Sequence, residues 1–417
     1  MLILLSEMKL LVFAHIPPPH HGQSYMVKLM LDGLGGDWRE KPATAQPTGP
    51  VQCYHVNSRF SDELEDIGAV RLEKLLLVFK YCFEAIWCRF KFGVQAFYYV
   101  PAPGKRAPLY RDWLVMLLCR PFFRHFIHHW EAAGLGDWVR REGTWVERWL
   151  THRLLGNPSL GIVLGIPNLR DALWFRSRDV EIVPNGIPDP CRDFEKSLAL
   201  RRRARLTARR KLIAGETLDP AERESAGGDP HHFRILYLAH CIAEKGLFDT
   251  VDAVALANSH LRAINFPIQV RLTIAGQFWD QQEKKEFETR LAVPEIAEAV
   301  HYAGFVAGAQ KEALLRENDC LCFPSYYTAE AQPVSIIEAM AFGMVIAATR
   351  WRAIPEMLPA DYPGFVPARR PAELAAKLPE LMTLDSTELR ERFSTIFTAE
   401  SYLQKMTAAF TQLPEAE

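Results

Sequence analysis

Two glutamates eight residues apart, Glu330 and Glu338, stand in the segment PSYYTAEAQPVSIIEAMAFG. The apolar run Cys320 to Phe323 before it predicts a buried strand, and Pro333 suits the first turn of a helix that Gly343 caps. Glu330 therefore falls on a loop above a sheet, and Glu338 inside a helix among Val334, Ile336, Ile337, Ala339 and Met340. A carboxylate in such surroundings needs a partner: sugar hydroxyls would serve, and so would a buried ion pair. A second chemical group lies in His240-Cys241-Ile242-Ala243-Glu244-Lys245-Gly246, between the strand Arg234 to Ala239 and a helix from Leu247. An ammonium group beside a helix start can hold phosphate as a point charge, although a surface lysine next to a turn looks the same in sequence. His128 and His129 end the strand His125 to His129, and alternate strand side chains point to opposite faces, so only one of the two faces a ligand crevice. Finally, the loop His15 to Ser24 carries Pro17, Pro18 and Pro19, and Gly22 lets a ligand approach backbone at a helix start. It is not G-x-G-x-x-G, and a stiff proline turn is the alternative reading.

Such groups need strands that end at a common edge. Short apolar runs alternate with helix-period segments: Leu10 to Ala14, Val51 to Val56, Gln95 to Val100, His125 to His129, Gly161 to Leu164 and Glu181 to Pro184 form a first series. Arg234 to Ala239, Val270 to Ala275, Val300 to Tyr302, Cys320 to Phe323 and Met344 to Ala348 form a second. This rhythm predicts two α/β units with parallel sheets. Boundaries are expected at 1–188 for the first unit, 189–385 for the second and 386–417 for a helical tail, with the linker Pro184 to Pro190 between the units. The run from Arg201 to His232, with RRRAR and ARRK, reads as an exposed charged excursion without assigned function.

Composition closes several other routes. The 417 residues are 49% hydrophobic and 24% charged, a balance suited to buried cores. Lys plus Arg at 49 against Asp plus Glu at 50 gives a net charge of −1, which offers no field for a polyanion and excludes nucleic acid as the main partner. Eight cysteines without a C-x-x-C pair, and a start without a basic n-region, lead us to expect a cytoplasmic protein. Leu72 to Val100 has an apolar stripe with spread basic residues; it either packs on a sheet or rests on the inner face of a membrane as a peripheral contact, and both readings stay open. No D-x-D motif occurs, so no metal is expected at the site.

The four loops, in this order, resemble those of family 4 of the retaining glycosyltransferases. The C-terminal block EAQPVSIIEAMAFGMVIAATRWRAIPEML is similar to that family's E-G-F-P-L-S-I-L-E-A-M-A-x-G-x-P-V-V-A-T followed by G-I-P-E. The proline loop with Gly22, the VPNGI segment and the EKG turn add to the likeness. It implies a GT-B fold: two Rossmann-like, doubly wound domains facing a cleft, an N-terminal acceptor-binding one and a C-terminal nucleotide-sugar-binding one, with C-terminal helices crossing back to the first. It further implies that Lys245 pairs with the donor diphosphate, Glu330 holds hydroxyls of the donor sugar, Glu338 binds the ribose, and backbone N–H groups near Pro333 and Val334 meet the phosphates. Gly22 would complete the diphosphate site, and His128 or His129, with His128 preferred, would stand near the reaction centre. His240 takes the place of an arginine common in the family, while Arg350 and Arg352 add positive charge nearby. The implied activity is metal-independent, retaining transfer of a hexose-type sugar from a nucleotide-diphosphate-sugar, the co-substrate, to a glycan or lipid-linked acceptor in cell-surface polysaccharide or glycolipid synthesis. An epimerase or phosphorylase on the same fold, or a non-catalytic binder of a glycan or a second transferase, are the rivals.

Overall fold

The computed structural model describes residues 8–18, 22–42, 44–47, 49–60 and 72–413. They form two compact units, 1–186 with 399–417 and 187–398. Pro19, His20 and His21 of the proline loop, and the first seven residues, lie outside the described residues.

The first unit holds strands β1 (Met8–Phe13), β2 (Val51–Val56), β3 (Ala96–Tyr99), β4 (His125–Trp130), β5 (Leu160–Val163) and β6 (Asp179–Ile182), all paired in parallel in the order β2-β1-β3-β4-β5-β6. Its helices are α1 (Gly22–Gly33), α2 (Leu72–Phe92), α3 (Arg106–Cys119), α4 (Leu135–Glu142), α5 (Trp145–Leu155) and α6 (Leu169–Trp174). Strand order reverses at β1. Crossovers that keep one hand must then place α1 on one face of the sheet and the helices from α2 to α6 on the other. The cores agree: Leu10, Val12, Ala96 and Ile127 pack with Met26 and Met30 of α1, whereas Leu11, Phe13, Phe97 and Phe126 pack with Val78, Cys82, Leu109 and Val115. The inner strands are covered on both faces and are mostly apolar, so they read as apolar runs, whereas the edge strand β6 has Asp179 and Ile182 exposed.

The second unit repeats the plan with β7 (His232–Leu238), β8 (Gln269–Ala275), β9 (Val300–Gly304), β10 (Cys320–Phe323), β11 (Val345–Thr349) and β12 (Phe365–Val366), in the order β12-β11-β10-β7-β8-β9. Its helices are α7 (Ala199–Ile213), α8 (Pro220–Ala226), α9 (Leu247–Ala263), α10 (Gln281–Leu291), α11 (Pro294–Ala299), α12 (Gly308–Glu317), α13 (Val334–Ala341), α14 (Ile354–Met357), α15 (Pro371–Leu381) and α16 (Thr387–Ile396). The last helix, α17 (Ala399–Thr411), belongs to the first unit, where Tyr402, Met406 and Phe410 fill the core beside α1. The expected tail from 386 is thus divided, α16 going to one unit and α17 to the other.

Of the segment expected as an exposed excursion over 201–232, residues 213–217 and most of 219–229 are exposed, but α7 is partly internal. Residues 199–213 form α7, and three of its arginines turn inward at 202, 205 and 209. Arg202 donates to the carbonyls of Phe342 at 2.6 Å, Asn318 at 3.0 Å and Leu315 at 3.0 Å, the loose C-terminal carbonyls of α12 and α13. Arg205 and Arg209 meet the buried carboxylate of Asp319 at 3.3 and 3.1 Å. The guanidinium fork has donors enough to satisfy several carbonyls at once, which is why a basic run can be internal.

Candidate functional site

In the second unit β7 neighbours β8 on one side and β10 on the other, so the crevice beyond the carboxyl ends of β7 and β10 is where the topology places a ligand. The loops leaving these two strands are tied together. Tyr326 N–H donates to the Glu244 carbonyl at 2.8 Å, and Gly246 adopts φ +80° where a Cβ would lie 2.5 Å from Pro324. Only glycine allows that approach in that conformation. The short helical turn Ala243–Lys245 then aims Lys245 across the crevice. Its Nζ donates to Glu330 Oε2 at 2.6 Å, and Ser325 Oγ donates to the same oxygen at 2.8 Å. The ammonium also lies 5.0 Å from the ring centre of Tyr327 and 5.4 Å from that of Phe323. Glu330 is 5% exposed. Trp351 Nε1 fixes the loop by donating to the Tyr327 carbonyl at 2.7 Å, and the Thr349 hydroxyl bonds the Ser325 carbonyl.

Pro333 caps α13 in an extended conformation, and the first-turn amides of a helix have no acceptor within it. Pro333 is buried and Val334 half-buried. Glu338 is half-buried one turn further on and pairs with Lys311 of α12. The structure therefore brings Lys245, Glu330, Pro333 and Val334 into the loops beyond β7 and β10, with Glu338 in the helix that follows. It gives each glutamate a lysine partner. Lys311 was not legible in the sequence, because a lysine in a surface helix carries no local mark of a carboxylate 27 residues away.

The remaining expected residues are placed differently. The His240 ring packs on Trp279 with centroids 4.3 Å apart. Arg350 lies over Phe365, and Arg352 adopts φ +50° with its guanidinium 5.7 Å from the Trp351 ring centre. A left-handed conformation costs a side-chain-bearing residue about 1 kcal/mol, so Arg352→Gly is expected to raise stability by about that amount in a urea titration. A lowered midpoint would show that the arginine side chain outweighs its backbone strain.

In the first unit, Gly22 is the exposed first residue of α1. His128 and His129 are both sealed from solvent. His128 sits on the face covered by the helices from α2 to α6, 5.6 Å from Trp130 and 6.4 Å from Tyr99 between ring centres. His129 faces the α1 side and shares a 2.6 Å hydrogen bond between its Nδ1 and Tyr98 Oη. Glu131, which sequence reading passed over, lies 3.7 Å from that nitrogen and is hydrogen-bonded by the Asn185 side chain.

Burial sets the protonation of this group. Desolvation pushes the Glu131 carboxyl up to about 8 and both histidines down to about 3. The histidines hold fewer protons folded than unfolded, so their contribution is present above about pH 6.5 and is lost as pH falls towards 3. Glu131 holds its proton more tightly when folded, so its contribution is present below about pH 4.5 and is lost as pH rises through 8. We expect the unfolding free energy to decline between about pH 6.5 and 8, and Glu131→Gln to flatten that decline in denaturant titrations taken across the range. An unchanged slope in the variant would refute this assignment.

Comparison with known proteins places the fold and this region. Residues 219–396 match the family described as "Glycosyl transferases group 1". Over 160 residues, 37% of each chain, the sequence is 27% identical to a putative colanic acid biosynthesis glycosyltransferase, WcaL, of Escherichia coli strain K12, so the match spans well under half of that relative. Sucrose-phosphate synthase from Thermosynechococcus elongatus superimposes with a TM-score of 0.64 at 15% identity, covering 98% of this chain and 99% of the other. HepE of Anabaena, solved in complex with UDP-glucose, superimposes with a TM-score of 0.59 at 17% identity, covering 98% and 100%. The fold is the two-unit α/β GT-B fold of such glycosyltransferases.

Proposed function

We propose that this chain is a retaining glycosyltransferase that moves a hexose-type sugar from a nucleotide-diphosphate-sugar to a glycan or lipid-linked acceptor in the synthesis of cell-surface polysaccharide or glycolipid. The observation that carries the reading is the Lys245–Glu330 contact at the strand-order reversal of the second unit, beside the start of α13. The matched family region supports it, since 219–396 contains Lys245, Lys311, Glu330 and Glu338.

The chemistry follows from charge. As the bond from the sugar's anomeric carbon to the diphosphate breaks, negative charge grows on the diphosphate, and fixed positive groups aimed there lower the barrier. Lys245 is held in place by Glu330 until the donor arrives; the ammonium then turns to the diphosphate, whose other oxygens meet backbone N–H groups near Pro333 and Val334 at the start of α13. Release from Lys245 frees Glu330 to accept hydrogen bonds from the sugar hydroxyls. Glu338, with Lys311 shielding its charge, accepts from the ribose hydroxyls. Retention follows if the acceptor attacks from the face the diphosphate leaves, with no carboxylate nucleophile required. A metal-independent course fits a sequence without D-x-D, in which the protein's own cations meet the diphosphate. UDP-glucose is the first donor to try, because HepE was solved with it.

The packing of His240 on Trp279, where a second cation would otherwise stand, favours one other reading: a non-catalytic protein that binds a nucleotide or glycan. Incubation with a panel of nucleotide-sugars, a pooled lipid-linked and soluble glycan acceptor fraction and EDTA separates the two. Release of nucleoside diphosphate from one donor is expected. Calorimetric binding without release in the presence of acceptor would favour the binder, and neither binding nor release would sink both.

A further inference from the structure

Helix α2 is apolar on two sides. One side, with Val78, Cys82, Ala85 and Cys88, is buried against the sheet. The opposite side carries Leu76 at 63% exposure, Phe83 at 64%, Trp87 at 50% and Phe90 at 69%. At 100° per residue these four, with Lys80 and Lys91, fall within an arc of about 100° pointing away from the core. A helix that only covered a sheet would expose polar residues there. Exposed apolar residues recur on α3, which packs against α2, where Leu117 is 60% exposed, and on α5, which packs against α3, where Trp145 and Trp149 are 79% and 60% exposed. Isolated exposed apolar residues are ordinary, but several large ones within one arc of a helix mark an interaction surface.

The charges on this face name its partner. Lys80 and Lys91 lie on the stripe itself, and Arg89 beside it binds the Phe122 carbonyl. The Lys91 ammonium sits 4.3 Å from the Trp87 ring centre, the pairing of an amphipathic aromatic with a cation that suits the boundary between hydrocarbon and headgroups. Between Leu76 and Lys91 no carboxylate falls within that arc, and Glu84 of the same helix is turned aside to Arg39. A second copy docking through this face would bring lysines towards lysines. A bilayer with anionic headgroups takes both halves of the pattern, since its acyl boundary accepts the rings and its phosphates accept the lysines.

We propose that the outward face of α2, extended by α3 and α5, is a membrane-docking surface that holds the protein on bilayers containing anionic lipid. No helix among the described residues is long and apolar enough to cross a membrane, so this contact lies on the surface. The proposal does not depend on the sugar-transfer reading and survives its failure.

The test is flotation of the full chain with phosphatidylcholine vesicles, with and without phosphatidylglycerol. We expect the protein to float with the mixed vesicles and far less with the neutral ones. Each lysine near an anionic surface contributes about a fivefold gain in partitioning, so Lys80→Gln with Lys91→Gln is expected to weaken binding about thirtyfold. Phe83→Ser, Trp87→Ser and Phe90→Ser together are expected to abolish it without changing the circular dichroism spectrum, and the lysine pair decides the matter if that triple variant does not fold. Equal flotation with both vesicle types, no flotation with either, or binding unaffected by both variants overturns the proposal. A dimer in light scattering that the triple variant dissociates, with no vesicle binding, assigns the face to a second copy instead.

Discussion

Replacing Lys245 with alanine is expected to lower the release of nucleoside diphosphate from the accepted donor by about a hundred- to a thousandfold, the usual loss when one group that stabilises the developing charge is removed. The fall should appear mainly in kcat, because the interaction strengthens as the diphosphate gains charge and is weaker in the bound donor. The structure adds a second consequence. In the free protein Glu330 would keep, among the described residues, Ser325 Oγ at 2.8 Å as a side-chain partner for a carboxylate that is nearly buried. Some loss of thermal stability should therefore accompany the loss of rate. Lys245→Arg separates the two effects: it restores the charge and the pairing, yet a fork of donors does not fill the place of a point charge. We expect it to recover stability more fully than rate. Single-turnover kinetics on the three proteins, beside their melting curves, checks this. An alanine variant with more than a tenth of the parent's rate would remove Lys245 from the chemistry.

The second large effect is structural. Asp319 is buried with Arg205 on its Oδ1 and Arg209 on its Oδ2, and Oδ2 also accepts the Arg234 N–H at 3.0 Å. Burial alone would raise its carboxyl pKa, but the neighbouring Arg209 and Arg205 charges and the Arg234 N–H outweigh it and hold the pKa below the ordinary range. The group is a carboxylate at neutral pH, and its contribution is lost as pH falls below its unfolded value of 3.8. Asp319→Ala leaves two inward guanidinium groups without their counter-charge, and we expect a loss of about 3 to 5 kcal/mol in urea unfolding. Changing Arg205 and Arg209 to methionine in the same chain should recover a large share, because the penalty comes from unpaired charge more than from lost attraction. A loss below about 1 kcal/mol would mean that water reaches this cluster.

Eleven of the strands were legible because parallel strands inside a covered sheet are dominated by apolar residues, which leaves short runs to read. The twelfth was not: Phe365–Val366 is two residues long and has no period to read. The crevice of the second unit was legible too, since glycine, proline and charged residues just beyond apolar runs mark the ends of strands where ligands bind. What stayed hidden depends on distant partners. Arg202 reads as one more surface charge until Phe342, 140 residues later, offers its carbonyl. Lys311 becomes meaningful only beside Glu338, and Glu131 only beside Asn185. Strand alternation put His128 and His129 on opposite faces. It could not show that both faces are covered there.

The division of the chain has a consequence for its synthesis. The core of the first unit needs Tyr402, Met406 and Phe410, yet these residues leave the ribosome only after the whole of the second unit, about 200 residues behind Gly186. At about 5 to 20 residues per second, the nascent first unit waits roughly 10 to 40 s with the α1 side of its sheet partly uncovered. The unit encoded later is thus the one able to fold first. The earlier one is left as a client for chaperones until α17 arrives, and a ribosome stalled short of residue 399 would hold it in that unfinished state.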